Sequence, residues 1–307
     1  MSQRGLKNKL LLLFIDGIGL GSDDPAVNPL VADPDPLFSG LMDGTRLTST
    51  RCVRRFTNGA LVPVDANLGV PGLPQSATGQ TAIFTGVNAA KIIGRHLHAF
   101  PSNRLVALIK EKSLMKALKD REVSVTGANM YSKEFFEKRR LMKRNMFPVS
   151  TLTIQASGEA CRDIKDYPRI PAVNMDLTNT VIRSRGYDIP IITPEDAAVN
   201  CGRIIDSYDF VFFEYFLTDV FGHKKHAGKL TQCVSDLNRF AAALWNMRQA
   251  SIVIVSDHGN AEDIRTPSHT RNKVPLIILS RDKKVIRRFC RVRTLTDIYS
   301  AVLDFYR

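Results

Sequence analysis

Five short runs of apolar, β-branched and aromatic residues punctuate the chain, at 10–15, 122–126, 210–216, 251–256 and 274–279. Between them, apolar positions return every three or four residues over 104–119, 194–205, 230–247 and 295–306. An unbroken apolar run of this length marks a strand buried on both faces, and the wider spacing marks a helix with one apolar side. Strands alternating with helices predict an α/β protein on a largely parallel sheet, with its chemistry in the loops at the carboxyl ends of the strands. The tract 131–192 breaks the rhythm with a basic amphipathic helix, scattered prolines and no strong strand. It reads as a small irregular insertion suited to a cap, leaving 1–130 and 193–307 as the core.

A chain of 307 residues with 44% hydrophobic content is long enough to bury a sizeable core. The opening residues are basic and then apolar, but the run 10–15 is short, ends in Asp16 and lacks a small-residue cleavage site. A first buried strand is expected there rather than a secretory signal. No segment approaches the ~20 apolar residues needed to cross a bilayer. The five cysteines are scattered without C-x-x-C spacing, which predicts reduced thiols and a cytoplasmic protein.

The net charge of +13 and the basic runs 138–144 and 281–293 invite a nucleic-acid reading. Aromatic residues are not interleaved with those runs, and no nucleic-acid-binding motif is present. The expectation is a solvated basic surface that attracts an anionic small substrate, with a basic binding module as the distant alternative.

Candidate chemistry begins in the stretch GLPQSATGQTAIFTG, Gly72 to Gly86, where Ser76, Thr78, Thr81 and Thr85 crowd a helix start. Such hydroxyls are ordinary N-caps when alone. A nucleophilic hydroxyl at a helix N-terminus, however, lies where backbone N–H groups favour an anion. Acidic and imidazole side chains then recur where the predicted strands end. Asp16 follows the first, Asp219, His223 and His226 follow the third, Asp257, His258 and Asp263 follow the fourth, and His269 precedes the fifth. A parallel sheet brings such positions to one edge. Carboxylates with imidazoles and no cysteine suit Mn or Zn, and a two-metal site would clamp a phosphoryl group. Ser76 is then the hydroxyl to be activated, with Thr78 as the alternative.

LFIDGIG, PQSATGQTAIFTG, TDVFGH, VSDHGNAEDI with SHTRNKVP, and TLTDIYSAVL together resemble the alkaline phosphatase superfamily, in the branch of cofactor-independent phosphoglycerate mutase and phosphopentomutase. The resemblance implies a three-layer sandwich. It also implies two divalent metals, one held by Asp219, His223 and His269, the other by Asp16, Asp257 and His258 with the nucleophile. In the mutases the nucleophile lies three residues before a Gly-His pair, a register that selects Ser76 before Gly79-Gln80, with glutamine in place of the histidine. Arg95, His96, His98 and Arg271 are candidates for the substrate phosphate. The implied reaction is attack of Ser76 on a phosphate ester through a phosphoserine. Because the mutases carry a large inserted cap and 131–192 is small, a phosphohydrolase is expected, with phosphomutase as the alternative.

Overall fold

A computed structural model describes residues 9–32, 34–141 and 146–307. In the basic run 138–144, the side chains beyond Lys138 lie outside the described residues. The strands are β1 (Leu10–Ile15), β2 (Arg54–Phe56), β3 (Gly59–Val64), β4 (Val125–Gly127), β5 (Met130–Tyr131), β6 (Arg162–Asp163), β7 (Phe210–Tyr215), β8 (Ser251–Val255) and β9 (Val274–Leu279). Seven of them form one sheet in the order β2-β3-β9-β8-β1-β7-β4, and β5 pairs with β6. Strands β8, β1, β7 and β4 are parallel, while β9 runs against both β8 and β3. The sheet is therefore parallel at its centre and reverses toward one edge.

Side-chain alternation along β1 explains the three layers. Leu10, Leu12 and Phe14 enter one apolar cluster, with helices Ser76–Thr85, Leu114–Lys119, Val149–Ala156 and Leu295–Phe305. Leu11, Leu13 and Ile15 enter the other, with helices Pro194–Ser207 and Ala227–Met247. Burial on both faces is why the strand reads as unbroken hydrophobicity. This is the three-layer α/β architecture that the resemblance implies, with a large central sheet between helical layers.

Several boundaries differ from expectation for local reasons. The helical pattern 104–119 is two helices, Asn103–Lys112 and Leu114–Lys119. At the break, the Ser113 hydroxyl accepts from Lys116 N at 3.5 Å and donates to Thr153 O at 2.9 Å. The strand expected at 122–126 starts only at Val125, because Glu122 sits in a turn at φ +62°. Strand β3 lies outside the five runs read as strands. In the sheet Pro63 lies opposite Pro275 of β9, so neither residue asks the other for a ladder hydrogen bond.

Tract 131–192 divides. Helix Val149–Ala156 buries Val149, Leu152 and Ile154 in the same cluster as Phe14 and Phe212. Ile164, Ala172, Ile182 and Ile189 instead gather with Met130 in a small nucleus of their own. The basic run 281–293 forms helix Lys283–Phe289, which buries Val285, Ile286 and Phe289 and leaves Lys283, Lys284 and Arg287 in solvent. The five cysteines are unpaired, and among the described residues no helix is long and apolar enough to cross a membrane.

Phe84 fastens helix Ser76–Thr85 to the sheet, with its ring edge-on to Phe212 at 5.0 Å and to Phe14 at 6.1 Å between centroids. Phe84→Ala should cost about 3–5 kcal/mol by burial and cavity terms. Urea unfolding followed by circular dichroism checks this, and an unchanged midpoint would contradict the packing role.

Candidate metal centre and active site

The topology converts scattered sequence positions into one cluster. Asp16 leaves β1, Asp257 and His258 leave β8, and helix Leu217–His223 after β7 presents Asp219 and His223. Because β9 is antiparallel to β8, its amino end lies at that same edge, so His269 joins from the loop that precedes it. Gly17 makes the first turn possible. It takes φ +76°, and a Cβ there would lie 2.8 Å from Asp219 Oδ1.

Asp219, His223 and His269 form one group. Asp219 Oδ2 is 3.4 Å from His223 Nε2, Asp219 Oδ1 is 3.6 Å from His269 Nε2, and the two Nε2 atoms are 3.1 Å apart. His269 Nδ1 is 2.7 Å from Pro74 O, and His223 Nδ1 is 2.6 Å from Pro267 O. A carbonyl can only accept, so each Nδ1 carries a proton and each Nε2 faces the cluster. This is the orientation metal-binding imidazoles require. Asn260 Nδ2 donates to Asp219 Oδ1 at 2.8 Å and steadies the carboxylate.

Asp16, Asp257 and His258 form the second group. His258 Nε2 lies 3.2 Å from Asp16 Oδ1, 3.6 Å from Asp257 Oδ2 and 2.9 Å from Ser76 Oγ. The His258 ring stacks on His269 at 3.6 Å, so His258 stands between the two groups and is close enough to serve with either. The Oδ1 atoms of Asp16 and Asp257 and Nδ1 of His258 are buried without a hydrogen-bond partner. Buried acceptors normally have partners. Convergent oxygen and imidazole donors with unspent lone pairs fit a divalent cation.

The electrostatics agree. Burial, then repulsion from Asp257 and Asp219, pushes the Asp16 carboxyl up to about 8. Burial likewise raises Asp257. Burial alone would lower His258, but Asp257 and Asp16 outweigh it and push the imidazole up to about 10. Asp219 is held well below the carboxylate range despite its burial, by hydrogen bonds from His223 and His269. Without an ion, protons on His258 and Asp16 compensate the negative charge.

The helix hydroxyls separate cleanly. The N-cap is Gln75, without a side-chain cap bond, and Ser76 is the first helical residue. Thr81 and Thr85 donate to the carbonyls of Ala77 and Thr81 at 2.6 and 2.7 Å. Thr78 donates to Gln75 O at 3.1 Å, accepts from Leu97 N at 3.3 Å and is fully buried. Ser76 Oγ is the hydroxyl of these four that is bonded to the acid-imidazole cluster.

The phosphate candidates lie further out. Arg95 and Arg271 are exposed, and Arg271 enters the surroundings through its carbonyl, which accepts from Asn67 Nδ2 at 3.3 Å. His96 meets Val70 O at 3.2 Å. His98 is nearer, with its ring 6.4 Å from His269 and Nδ1 at 2.9 Å from Gln75 Oε1. Asp263 pairs with Arg265, and His226 accepts from Lys229 N as the cap of helix Ala227–Met247.

Glu262, which the sequence reading passed over, ties the site together. It is fully buried and accepts from Gly19 N at 2.9 Å, Asn260 N at 2.7 Å, Asn272 Nδ2 at 3.0 Å and the Thr270 hydroxyl. One carboxylate thus binds the loop after β1 to both ends of the β8–β9 connection. Gln80 was also missed as a functional residue. Its amide nitrogen is 3.3 Å from both Asp16 Oδ2 and Asp257 Oδ2.

Known proteins are similar to this chain in sequence over one segment and in fold over its length. A profile of the metalloenzyme superfamily matches residues 196–307. The 2,3-bisphosphoglycerate-independent phosphoglycerate mutase of Prochlorococcus marinus is 30% identical over 112 residues, 33% of this chain and 21% of that protein. The mutase of the same name from Moorella thermoacetica is 30% identical over 110 residues, with the same coverage. The match thus spans about a fifth of the length of these relatives. Among solved structures, the alkaline phosphatase of the Antarctic bacterium TAB5 superposes with a TM-score of 0.58 at 11% identity, over 99% of both chains. The Leishmania mexicana phosphoglycerate mutase, a structure at low cobalt concentration, gives 0.58 at 8% identity over 99% of this chain and 96% of that one. At such identities the superpositions speak for the fold, and the sequence matches speak for the segment that bears Asp219, His223, Asp257, His258 and His269. Residues 196–307 thus match the metalloenzyme superfamily and are similar in sequence to phosphoglycerate mutases, and the chain as a whole has the fold of the alkaline phosphatase and phosphoglycerate mutase structures.

Proposed function

We propose that this protein is a metal-dependent phosphohydrolase that attacks a small phosphate ester with Ser76 and forms a phosphoserine. The observation that carries the reading is the Ser76 hydroxyl at 2.9 Å from His258 Nε2, on the first residue of a ten-residue buried helix and at the rim of the acid-imidazole cluster. Asp219, His223 and His269 would hold one divalent ion, Mn or Zn, and Asp16, Asp257 and His258 the other. When bound, such ions neutralise the phosphoryl group and lower the pKa of a coordinated hydroxyl.

The chain's own groups do the rest. Packing of Phe84 and Ala82 fixes the helix that aims Ser76. The amino end of that helix offers unpaired backbone N–H groups to the phosphoryl oxygens. The basic surface, at +13, draws in an anionic ester. His98 at the rim and the exposed Arg95 and Arg271 are available to the substrate's phosphate or its alcohol part. Phosphomutase is the second reading, favoured by the sequence match to mutases. It differs only in the acceptor of the phosphoryl group.

Ser76→Ala should lower the turnover of p-nitrophenyl phosphate with added Mn by at least about three orders of magnitude, with metal content unchanged. Full activity in that variant would remove Ser76 from the mechanism. A panel of sugar phosphates separates the two readings, since free phosphate marks the hydrolase and positional exchange of label without release marks the mutase. Asp257→Asn should reduce bound metal, measured by elemental analysis, to about half of the parent's. An unchanged content would contradict the two-ion assignment.

Removing metal should also change how stability depends on pH. In ion-free protein His258 binds its proton more tightly folded than unfolded, so its contribution is complete below 6.5 and is lost as pH rises through about 10. Asp16 acts in the same direction, because the cost of ionising it when buried grows from 3.8 to about 8. Melting temperature in chelator should therefore fall between about pH 6 and about pH 9, and Mn should flatten the fall by taking the place of those protons. Equal slopes with and without Mn would refute this coupling.

A further inference from the structure

Gln80 stands one helical turn after Ser76, on the same side of helix Ser76–Thr85, and is almost wholly buried. Its Nε2 lies 3.3 Å from Asp16 Oδ2 and 3.3 Å from Asp257 Oδ2. Those are two carboxylates from two different strands, β1 and β8, and both are crowded by burial. The other oxygen of each, Oδ1, is buried with no hydrogen-bond partner. The amide thus reaches one oxygen of each carboxylate.

The chemistry of the side chain suits this task. A primary amide carries two hydrogens on one nitrogen, so a single atom can donate to both carboxylates, whereas an imidazole nitrogen carries at most one. An amide is also neutral at every pH, so it holds the acids together without adding a charge that would compete with a cation. The helix is placed for this contact by Gly79, where a Cβ would come within 2.9 Å of Asp257 O and 3.0 Å of Asp257 Cβ. The sequence Gly79-Gln80 thus brings the helix against the loop after β8 and inserts the amide between the two acids.

We infer that Gln80 is a positioning residue for the second metal ion, an amide clamp that fixes the carboxylates of Asp16 and Asp257 relative to each other. This rests on the two-ion reading of the site. Outer-sphere partners of metal ligands typically contribute 10–100-fold to affinity. Gln80 is separated in role from Asp219, His223 and His269, which take their orientation from Asn260, Pro267 and Pro74.

The test is titration of chelator-stripped full-length protein with Mn by calorimetry, and with Co(II) by visible absorption. The parent should bind in two steps. Gln80→Met, similar in size but without a donor, should weaken one step by about 10–100-fold, alter the Co(II) bands of that step and leave the other unchanged. Gln80→His, with one N–H to offer, should fall between the parent and Gln80→Met. Circular dichroism checks that each variant folds, and a loss that merely reflected damaged structure would move both steps. If both steps in Gln80→Met match the parent, the clamp is overturned while the two-ion reading stands. If Asp257→Asn binds as many ions as the parent, the two-ion reading fails and the clamp fails with it.

Discussion

Asp16, Asp219 and Asp257 meet in a corner from which water is largely excluded, and their mutual repulsion there must be compensated within a few ångströms. No lysine or arginine reaches them among the described residues. The compensation comes from three imidazoles, an amide from Asn260 and another from Gln80. In ion-free protein a proton on His258 carries much of the burden, and Asp16 is pushed toward its neutral form. A buried charge that must borrow protons is poised for a cation.

The fold holds this unfavourable assembly in place by spending apolar burial around it. β1 sits fifth of seven in the sheet order, between β8 and β7, and is covered on both faces, so the backbone that ends in Asp16 has no freedom to retreat. Helix Ser76–Thr85 is buried on every side except at Ser76. A helix buried all round cannot carry charged residues, which accounts for its small and hydroxylated composition. Three of its threonines satisfy their hydroxyls on carbonyls of the helix or its cap, and this leaves Ser76 alone to face the cluster. Glu262 adds the polar counterpart, with four donors from two loops converging on one side chain.

The parts of this arrangement that were legible in the sequence are those in which residue type and position both point to one role. The unbroken apolar runs located β1, β7, β8 and β9 because strands buried on both faces have no polar positions to confuse the pattern. The acids and histidines that follow those runs could be grouped because parallel strands end at one edge. Strand β3, which carries Pro63 opposite Pro275 of β9, was not among those runs. Gln80, Asn260 and Glu262 were hidden for a physical reason. Their roles are set by which carboxylate or backbone N–H lies opposite, a relation between loops far apart in sequence that no spacing records. The four hydroxyls of the nucleophile helix looked alike in sequence, and only their partners distinguish them.

The division of tract 131–192 bears on the choice of phosphoryl acceptor. Closure over an active site requires a body that can move independently of the core and exclude water. Helix Val149–Ala156 is unsuited to that motion, because Val149 and Ile154 are buried against the sheet-face cluster and Ser150 donates to Glu214 of β7 at 2.6 Å. What remains is the segment around Ile164, Ala172, Ile182 and Ile189, a nucleus of few side chains. A cap of that size covers little area, which on the proposed reading leaves the phosphoryl group open to water. Specificity would then rest less on enclosure than on the charged rim, where His98 and the exposed arginines stand.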